Sequence, residues 1–277
     1  MTHRILIYVS LLAFAALACS KPVTRPASTI EPSTPANTGN PAPAEGLQKR
    51  VEEIASAAKG RVGVSAMVLD DFQSNSSAQG SRKTRNWTIS LNPDEHFPMQ
   101  SVYKLPIGMA VMEQVDTGKI RLDQKVQVTK GDFIGESSHS PIRDRHPNGV
   151  ELTVSELMRW MLGESDGTAS DVLMKLAGGH EAVQAYLTKL KVTDMVVLDT
   201  EKALAEDHSL QFRNWSTPEA ALTLLRALYE RRALSESATT YLLKTMTESK
   251  PGAKRLRGLL PAGTVVAHKT GTSGTEN

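Results

Sequence analysis

The sequence predicts an α/β (α+β) fold of two lobes, in which a mixed sheet built from both chain ends carries an inserted helical lobe. Three observations predict it. Arg61 to Leu69 (RVGVSAMVL) and Trp87 to Leu91 (WTISL) read as strands near the start. Thr264 to His268, after the turn Pro261-Ala-Gly263, reads as a strand near the end. Most of the chain between them carries helical periodicity and helix caps. A crevice between two such lobes is the natural place for a small ligand.

The bulk numbers agree with one globular unit behind a leader. The chain has 277 residues, 40% hydrophobic and 22% charged, enough for a substantial core. A formal net charge of +2 argues against a nucleic-acid partner, and no run of like charges marks a polybasic membrane patch. The division expected is a signal peptide over 1–18, a tether over 19–46 and a folded domain over 47–277. Within that domain, 47–96 and 262–277 form the sheet lobe and 97–261 the helical lobe.

His3 and Arg4 precede the apolar run Ile5 to Ala18, which is too short to span a bilayer and reads as an export signal. It ends in Ala16-Leu17-Ala18-Cys19. The A-x-A pattern fits cleavage before Cys19, and the same residues resemble a bacterial lipobox, in which that cysteine is lipidated. Cys19 is the only cysteine of the chain, so no intramolecular disulfide forms. Lipidation gives an unpaired cysteine in an exported protein a reason; a chance residue at a cleavage site is the alternative. Ser20 to Gly46 is rich in Pro, Ala, Ser and Thr and has almost no large apolar residue, the composition of an extended tether. The expected location is therefore exported and periplasmic, with the membrane reached only through a lipid on Cys19.

The folded part is expected to begin near Leu47, where Leu47, Val51 and Ile54 fall at helical spacing ahead of Gly60. From Ser101 a helix is expected whose residues Leu105 to Met112 are apolar almost all round, the mark of burial. Thr153 with Glu156 forms a capping box ahead of the stripe Leu157, Trp160, Met161. Ser216, Pro218 and Glu219 start another helix. Leu198 to Trp215 has weak periodicity, and loops of that length usually carry function or are disordered.

Three short motifs carry chemistry. Ser101-Val-Tyr-Lys104 is S-x-x-K, and on a helix its serine and lysine share a face. A serine at a helix N-terminus sits in a positive field that favours an oxyanion. Partial burial of Lys104 would let it take a proton. Ser165-Asp-Gly167 could relay a proton to a leaving nitrogen, although S-D-G is also a common turn. Lys269-Thr-Gly271 could hold a carboxylate with charge-assisted hydrogen bonds, and Gly271 lets a ligand approach the backbone. Each motif is weak alone. Their order, S-x-x-K, then S-D-x, then K-T-G, on the expected helix, loop and strand, is the established signature shared by class A β-lactamases and penicillin-binding proteins.

Residues from about Leu47 to Gly274 resemble a class A β-lactamase throughout. Ser101 to Gly108, Ser140-Pro-Ile-Arg-Asp144 and Gln211-Phe-Arg-Asn-Trp215 are especially similar to the branch with an enlarged Ω loop, which includes several extended-spectrum enzymes. The resemblance implies a two-lobe serine β-lactamase / D,D-peptidase fold and hydrolysis of β-lactams without a cofactor or metal, by a monomer. It implies Ser101 as nucleophile, Lys104 as its partner and Ser165 as proton relay. Lys269, Thr270 and Gly271 match the carboxylate-binding strand, with the Ser101 and Thr272 N–H groups as the oxyanion hole. Glu201, in Thr200-Glu-Lys-Ala-Leu204, matches the glutamate that activates the deacylating water. Which of Lys104 and Glu201 takes the proton during acylation is disputed for the family.

This sequence departs from the family in places. Gly167 stands where asparagine usually helps to bind the substrate side chain, and Ala205 where an asparagine often helps to hold the water. Asn277 comes only a few residues after Gly271, whereas relatives continue through two further strands and a helix. The expectation is a fragment with its last strands missing, in which Thr264 to Thr272 lacks a partner on one edge and stability and activity are low. Two other readings remain: a penicillin-binding D,D-peptidase or acyl trap, discriminated by Glu201, and a surface lipoprotein that binds without catalysis. A zinc enzyme is disfavoured because the seven histidines show no H-x-H spacing.

Overall fold

A computed structural model describes residues 12–14, 42–69 and 87–273. Cys19 and most of the expected leader and tether lie outside the described residues. Leu12–Phe14, inside the apolar run of the expected leader, form strand β1, which pairs antiparallel with β2 (Arg61–Met67). Strand β3 (Thr88–Leu91) pairs antiparallel with the other edge of β2, in the register Val64 to Leu91. Both strands lie within the segments expected from their alternation.

Helix α1 (Ala42–Ser56) starts earlier than Leu47. It docks through Gln48, whose side chain accepts from Ser90 N–H and donates to Ser90 O. The expected apolar stripe is not its buried face: Leu47 and Ile54 stay exposed. A polar clasp onto an exposed strand edge orients the helix here in place of side-chain burial.

After β4 (Phe97–Pro98) the chain enters the helical lobe. The expected helix from Ser101 is in two parts: a 3₁₀ turn over Gln100–Tyr103, then α2 (Lys104–Asp116). Pro106 is tolerated in the first turn of α2, where its missing N–H would have no intrahelical partner. Every residue from Lys104 to Met112 is buried, as the all-round apolar pattern requires. The hairpin β5 (Lys125–Val128) with β6 (Val150–Thr153) flanks the short α3 (Pro141–Arg145). Thr153 and Glu156 form the expected reciprocal cap at the start of α4 (Val154–Met158). Leu157 and Met161 are fully buried, and a π turn over Arg159–Gly163 interrupts the helix between them.

Helices α5 (Gly167–Ala177) and α6 (Gly179–Lys189) pack on α2 and complete the main core. Strand β7 (Met195–Val196) precedes the stretch expected as an irregular loop. That stretch holds α7 (Glu201–Glu206) and a 3₁₀ turn over His208–Phe212, then ends in β8 (Trp215–Ser216). Local capping by Thr200 and Asp207 produces these short turns, which lack a long apolar stripe. The cap of α8 (Pro218–Tyr229) is Thr217, one residue beyond the expected Ser216; α9 (Glu236–Thr247) follows.

The C-terminal segment corrects one expectation. Thr264 to His268 forms no sheet ladder among the described residues. Two of its backbone groups pair with residues outside any sheet instead. His268 N–H donates to Met246 O, and Arg257 donates to Val266 O. A strand exists only where a neighbour completes its ladder; here one arginine side chain and a helix end meet part of that need.

Candidate active site

The site starts from the 3₁₀ turn that carries Ser101. Three residues per turn place i and i+3 directly above one another, so Lys104 stands over Ser101 and its Nζ donates to Ser101 Oγ at 2.9 Å. Gln100, just before the serine, has φ +48°, a left-handed conformation that non-glycine residues seldom adopt. Lys104 is 1% exposed. Its ammonium also donates to Ser165 O at 2.9 Å and pairs with Glu201 Oε1 at 2.7 Å. A buried charge survives only with such compensation.

The π turn after α4 aims the second motif. Trp160 O accepts from both Glu164 N–H and Asp166 N–H, and Ser165 between them is left-handed at φ +62°. Asp166 then caps α5, accepting from Ala169 N–H at 2.8 Å, and also accepts from Ile142 N–H at 2.7 Å. The carboxylate thus fastens Ser140 to Arg145 against the serine loop. Ser165 Oγ accepts from Lys269 Nζ at 3.0 Å.

Glu201 is the first residue of α7. Asp171, on α5, accepts from Glu201 N–H at 2.8 Å and from Lys202 N–H at 2.9 Å, holding that helix start in register with the lysine. Burial pushes the Asp171 carboxyl up to about 7, against the pull of those two N–H groups and with the help of the Glu201 charge. Asn214 closes the segment: its Oδ1 accepts from Leu198 and Asp199 N–H, and its Nδ2 donates to Asp199 O. Met99 N–H donates to Asn214 O, tying the same clamp to the nucleophile turn. Burial alone would raise the Glu201 carboxyl. The Lys104 charge and hydrogen bond, the Tyr103 hydroxyl and Lys269 outweigh it and hold the group below the usual carboxylate range.

Burial and the nearby Lys104 charge hold Lys269 well below the usual lysine range, while Glu201 opposes them. Gly271 passes against the nucleophile turn so closely that a Cβ there would lie 2.5 Å from Met99 O and 3.3 Å from Ser101 N. Arg255 fixes this segment, donating to Gly271 O and to Thr272 Oγ1, each at 2.9 Å. Ser101, Lys104, Ser165, Glu201, Thr270 and Thr272 line one cleft of about 780 Å³. That size suits a small molecule.

Most of the residues singled out from the sequence therefore meet. Gly167 is placed differently. It is buried at the first turn of α5, and a Cβ there would lie 2.4 Å from Ile134 Cδ1 and 3.2 Å from Glu201 Cγ. Ile134 and Glu201 occupy the space that a side chain at this position would need. Sequence reasoning also missed Asp171, Arg255, Asn214 and Tyr103. Tyr103 fills an x position of S-x-x-K and Asn214 lies within Gln211-Phe-Arg-Asn-Trp215, whereas Asp171 and Arg255 lie in no short motif; the contacts of Asp171, Arg255 and Asn214 are long-range. No group of three His, Cys, Asp or Glu that could hold a metal occurs among the described residues.

Gly167→Asn is expected to lower the unfolding free energy by about 1–3 kcal/mol, the usual cost of overpacking. Denaturant melts check this; unchanged or higher stability would show that the space beside Glu201 can be reshaped freely.

Known proteins provide the context. Residues 46–276 match the Beta-lactamase enzyme family. The chain is 36% identical over 235 residues to Beta-lactamase VEB-1 of Pseudomonas aeruginosa, covering 84% of this chain and 74% of that one. It is 35% identical over 229 residues to the Extended-spectrum beta-lactamase PER-1 of the same organism, covering 82% and 70%. The crystal structure of a beta-lactamase from Chitinophaga pinensis DSM 2588 superposes with a TM-score of 0.75 at 39% identity, covering 84% of this chain and 80% of that one. With the nucleophile, buried lysine and loop glutamate brought together in one cleft, the chain belongs to the class A serine β-lactamase family.

Proposed function

We propose that this protein hydrolyses β-lactams through an acyl-enzyme on Ser101, released by water that Glu201 activates. One observation carries the reading. A single buried ammonium, Lys104, is 2.9 Å from the Ser101 hydroxyl and 2.7 Å from the Glu201 carboxylate. The hydroxyl that must lose a proton is thus joined, through one ammonium, to a carboxylate that can receive it.

Ser101 Oγ attacks the lactam carbonyl carbon, and its proton passes to the Lys104–Glu201 pair. The family resemblance assigns the Ser101 and Thr272 N–H groups to the developing oxyanion, whose stabilisation needs donors already in place. The carbonyl carbon–nitrogen bond breaks, and Ser165 Oγ delivers a proton to the ring nitrogen and is reprotonated with the one the Lys104–Glu201 pair took from Ser101, which returns Glu201 to its carboxylate form. Lys269, which donates to Ser165 Oγ, and Thr270, which lines the cleft, are the residues the family resemblance assigns to the substrate carboxylate. Glu201 then removes a proton from water. The water oxygen bonds to the acyl carbon, Ser101 Oγ leaves and recovers a proton, and the ring-opened acid departs.

Intact mass followed over time after mixing with a penicillin tests this. The parent is expected to show no lasting adduct, Ser101→Ala none at all, and Glu201→Gln an adduct that persists roughly 10²–10⁴-fold longer, the usual worth of a positioned base. An adduct on Ser101→Ala, or a Glu201→Gln adduct that clears at the parent rate, would contradict the assignment.

We also propose that the protein is exported and tethered to a membrane by a lipid on Cys19. The apolar run before Ala16-Leu17-Ala18-Cys19, the unpaired cysteine and the Pro-, Ser- and Thr-rich segment after it support this. Membrane-extracted protein is expected to carry the mass of an acylated N-terminal cysteine; an unmodified Cys19 would refute the anchor.

A further inference from the structure

A relay serine must present its hydroxyl in one direction, and that direction is set by the two peptide planes that flank its Cα. The plane after Ser165 is fixed at both of its polar groups. Ser165 O accepts from Lys104 Nζ at 2.9 Å, and Asp166 N–H donates to Trp160 O at 3.0 Å. The plane before Ser165 contains the carbonyl of Glu164, which lies 3.0 Å from His139 Nε2. A carbonyl only accepts, so His139 Nε2 carries the proton and donates it. With both planes held, Ser165 keeps φ +62°. Such a conformation is costly for a residue with a Cβ and persists only where its surroundings enforce it.

His139 is built into the same turn from a second side. Its backbone carbonyl accepts from Gly167 N–H at 3.0 Å. Its neighbour Ser140 places Oγ 2.7 Å from Thr168 Oγ1, and Ile142 N–H donates to Asp166 at 2.7 Å. These three contacts all act on the chain after Ser165. The imidazole reaches the chain before it, so one residue clasps the turn on both sides of the serine. The Glu164 carboxylate is engaged separately, with Lys250, which leaves the ring contact purely a backbone one. The ring itself is exposed and lines the cleft beside Ser138 and Ser165. A hydrogen bond open to water adds only modestly to global stability. Its consequence here is directional.

We propose that His139 is a positioning residue for the proton relay: by donating from Nε2 to Glu164 O it fixes the peptide plane ahead of Ser165, and so holds the left-handed backbone that keeps Ser165 Oγ beside Lys269 and turned toward the departing lactam nitrogen. The proposal rests on Ser165 being the relay. It predicts a selective defect. Breaking the lactam carbon–nitrogen bond needs a proton on nitrogen, whereas attack of water on the acyl-enzyme is served by Glu201 and does not involve Ser165. Loss of the His139 donor should therefore slow acylation by lactams and leave deacylation unchanged.

The test compares stopped-flow acylation by two substrates with the same side chain: benzylpenicillin and the nitrophenyl ester of phenylacetylglycine. In the ester, Ser101 Oγ bonds to the carbonyl carbon, the carbon–oxygen bond breaks, and nitrophenolate leaves without a proton. His139→Phe keeps a ring and removes the donor. It is expected to slow acylation by the penicillin by roughly 10–10²-fold, the scale of a misplaced reacting group, and to leave acylation by the ester at the parent rate. His139→Gln, whose amide nitrogen can stand where Nε2 does, is expected to recover most of the loss. His139→Ala repeats the test should phenylalanine disturb the fold. Equal losses on both substrates would mark a contact with the shared side chain or a disturbed cleft, and overturn the proposal. So would a penicillin rate that does not change, or a loss that glutamine does not repair. Ser165→Ala is the control. If it shows the selective loss and His139→Phe does not, His139 alone is overturned; if Ser165→Ala shows none, the relay reading itself fails and His139 with it.

Discussion

The arrangement depends on how one buried ammonium is satisfied. Lys104 is almost wholly out of water, and an ammonium there is tolerable only with a counter-charge and acceptors in good geometry. It finds them in three separate parts of the chain: Ser101 on its own turn, Ser165 O after the π turn, and Glu201 at the start of α7. Meeting that requirement brings Ser101, Ser165 and Glu201 together. In the proposed reaction, the same contacts that make the lysine tolerable inside the protein also prime the serine.

Each contact has its own support. Asp166 secures the serine loop to Ile142 and Ala169, and Asp171 secures the start of α7. Asn214 clamps the ends of the loop that bears Glu201 and ties them to Met99. Arg255 keeps Gly271 and Thr272 against the nucleophile turn. Left-handed residues at Gln100 and Ser165 flank the chemistry, where strained backbone is held by surrounding structure. Supporting polar groups of this kind are what hold a catalytic constellation in register.

The local parts of this design were legible in the sequence. S-x-x-K, S-D-G and K-T-G, the all-round apolar run of α2 and the Thr153–Glu156 cap are short-range patterns with a direct physical meaning. The parts that were not legible act across long sequence distances. Nothing local to Asp171 says that it will cap a helix thirty residues away, and nothing near Arg255 points to Gly271. Gly167 is instructive in another way: resemblance marks it as a lost substrate contact, whereas in three dimensions its space is filled by Ile134 and Glu201. The C-terminal segment shows the limit of alternation as a signal. The pattern of Thr264 to His268 suits a strand, but the ladder depends on a neighbour that the segment itself does not specify.

Pre-steady-state acylation of Lys104→Met by a chromogenic cephalosporin tests the central claim most directly. Methionine preserves much of the packing volume and removes the charge that joins Ser101 to Glu201. Acylation is expected to slow by at least about 10²-fold, the lower range for loss of proton-transfer assistance, in a chain that still folds. Acylation at the parent rate would contradict the account, because Ser101 would then be reactive without the ammonium on which the site is built.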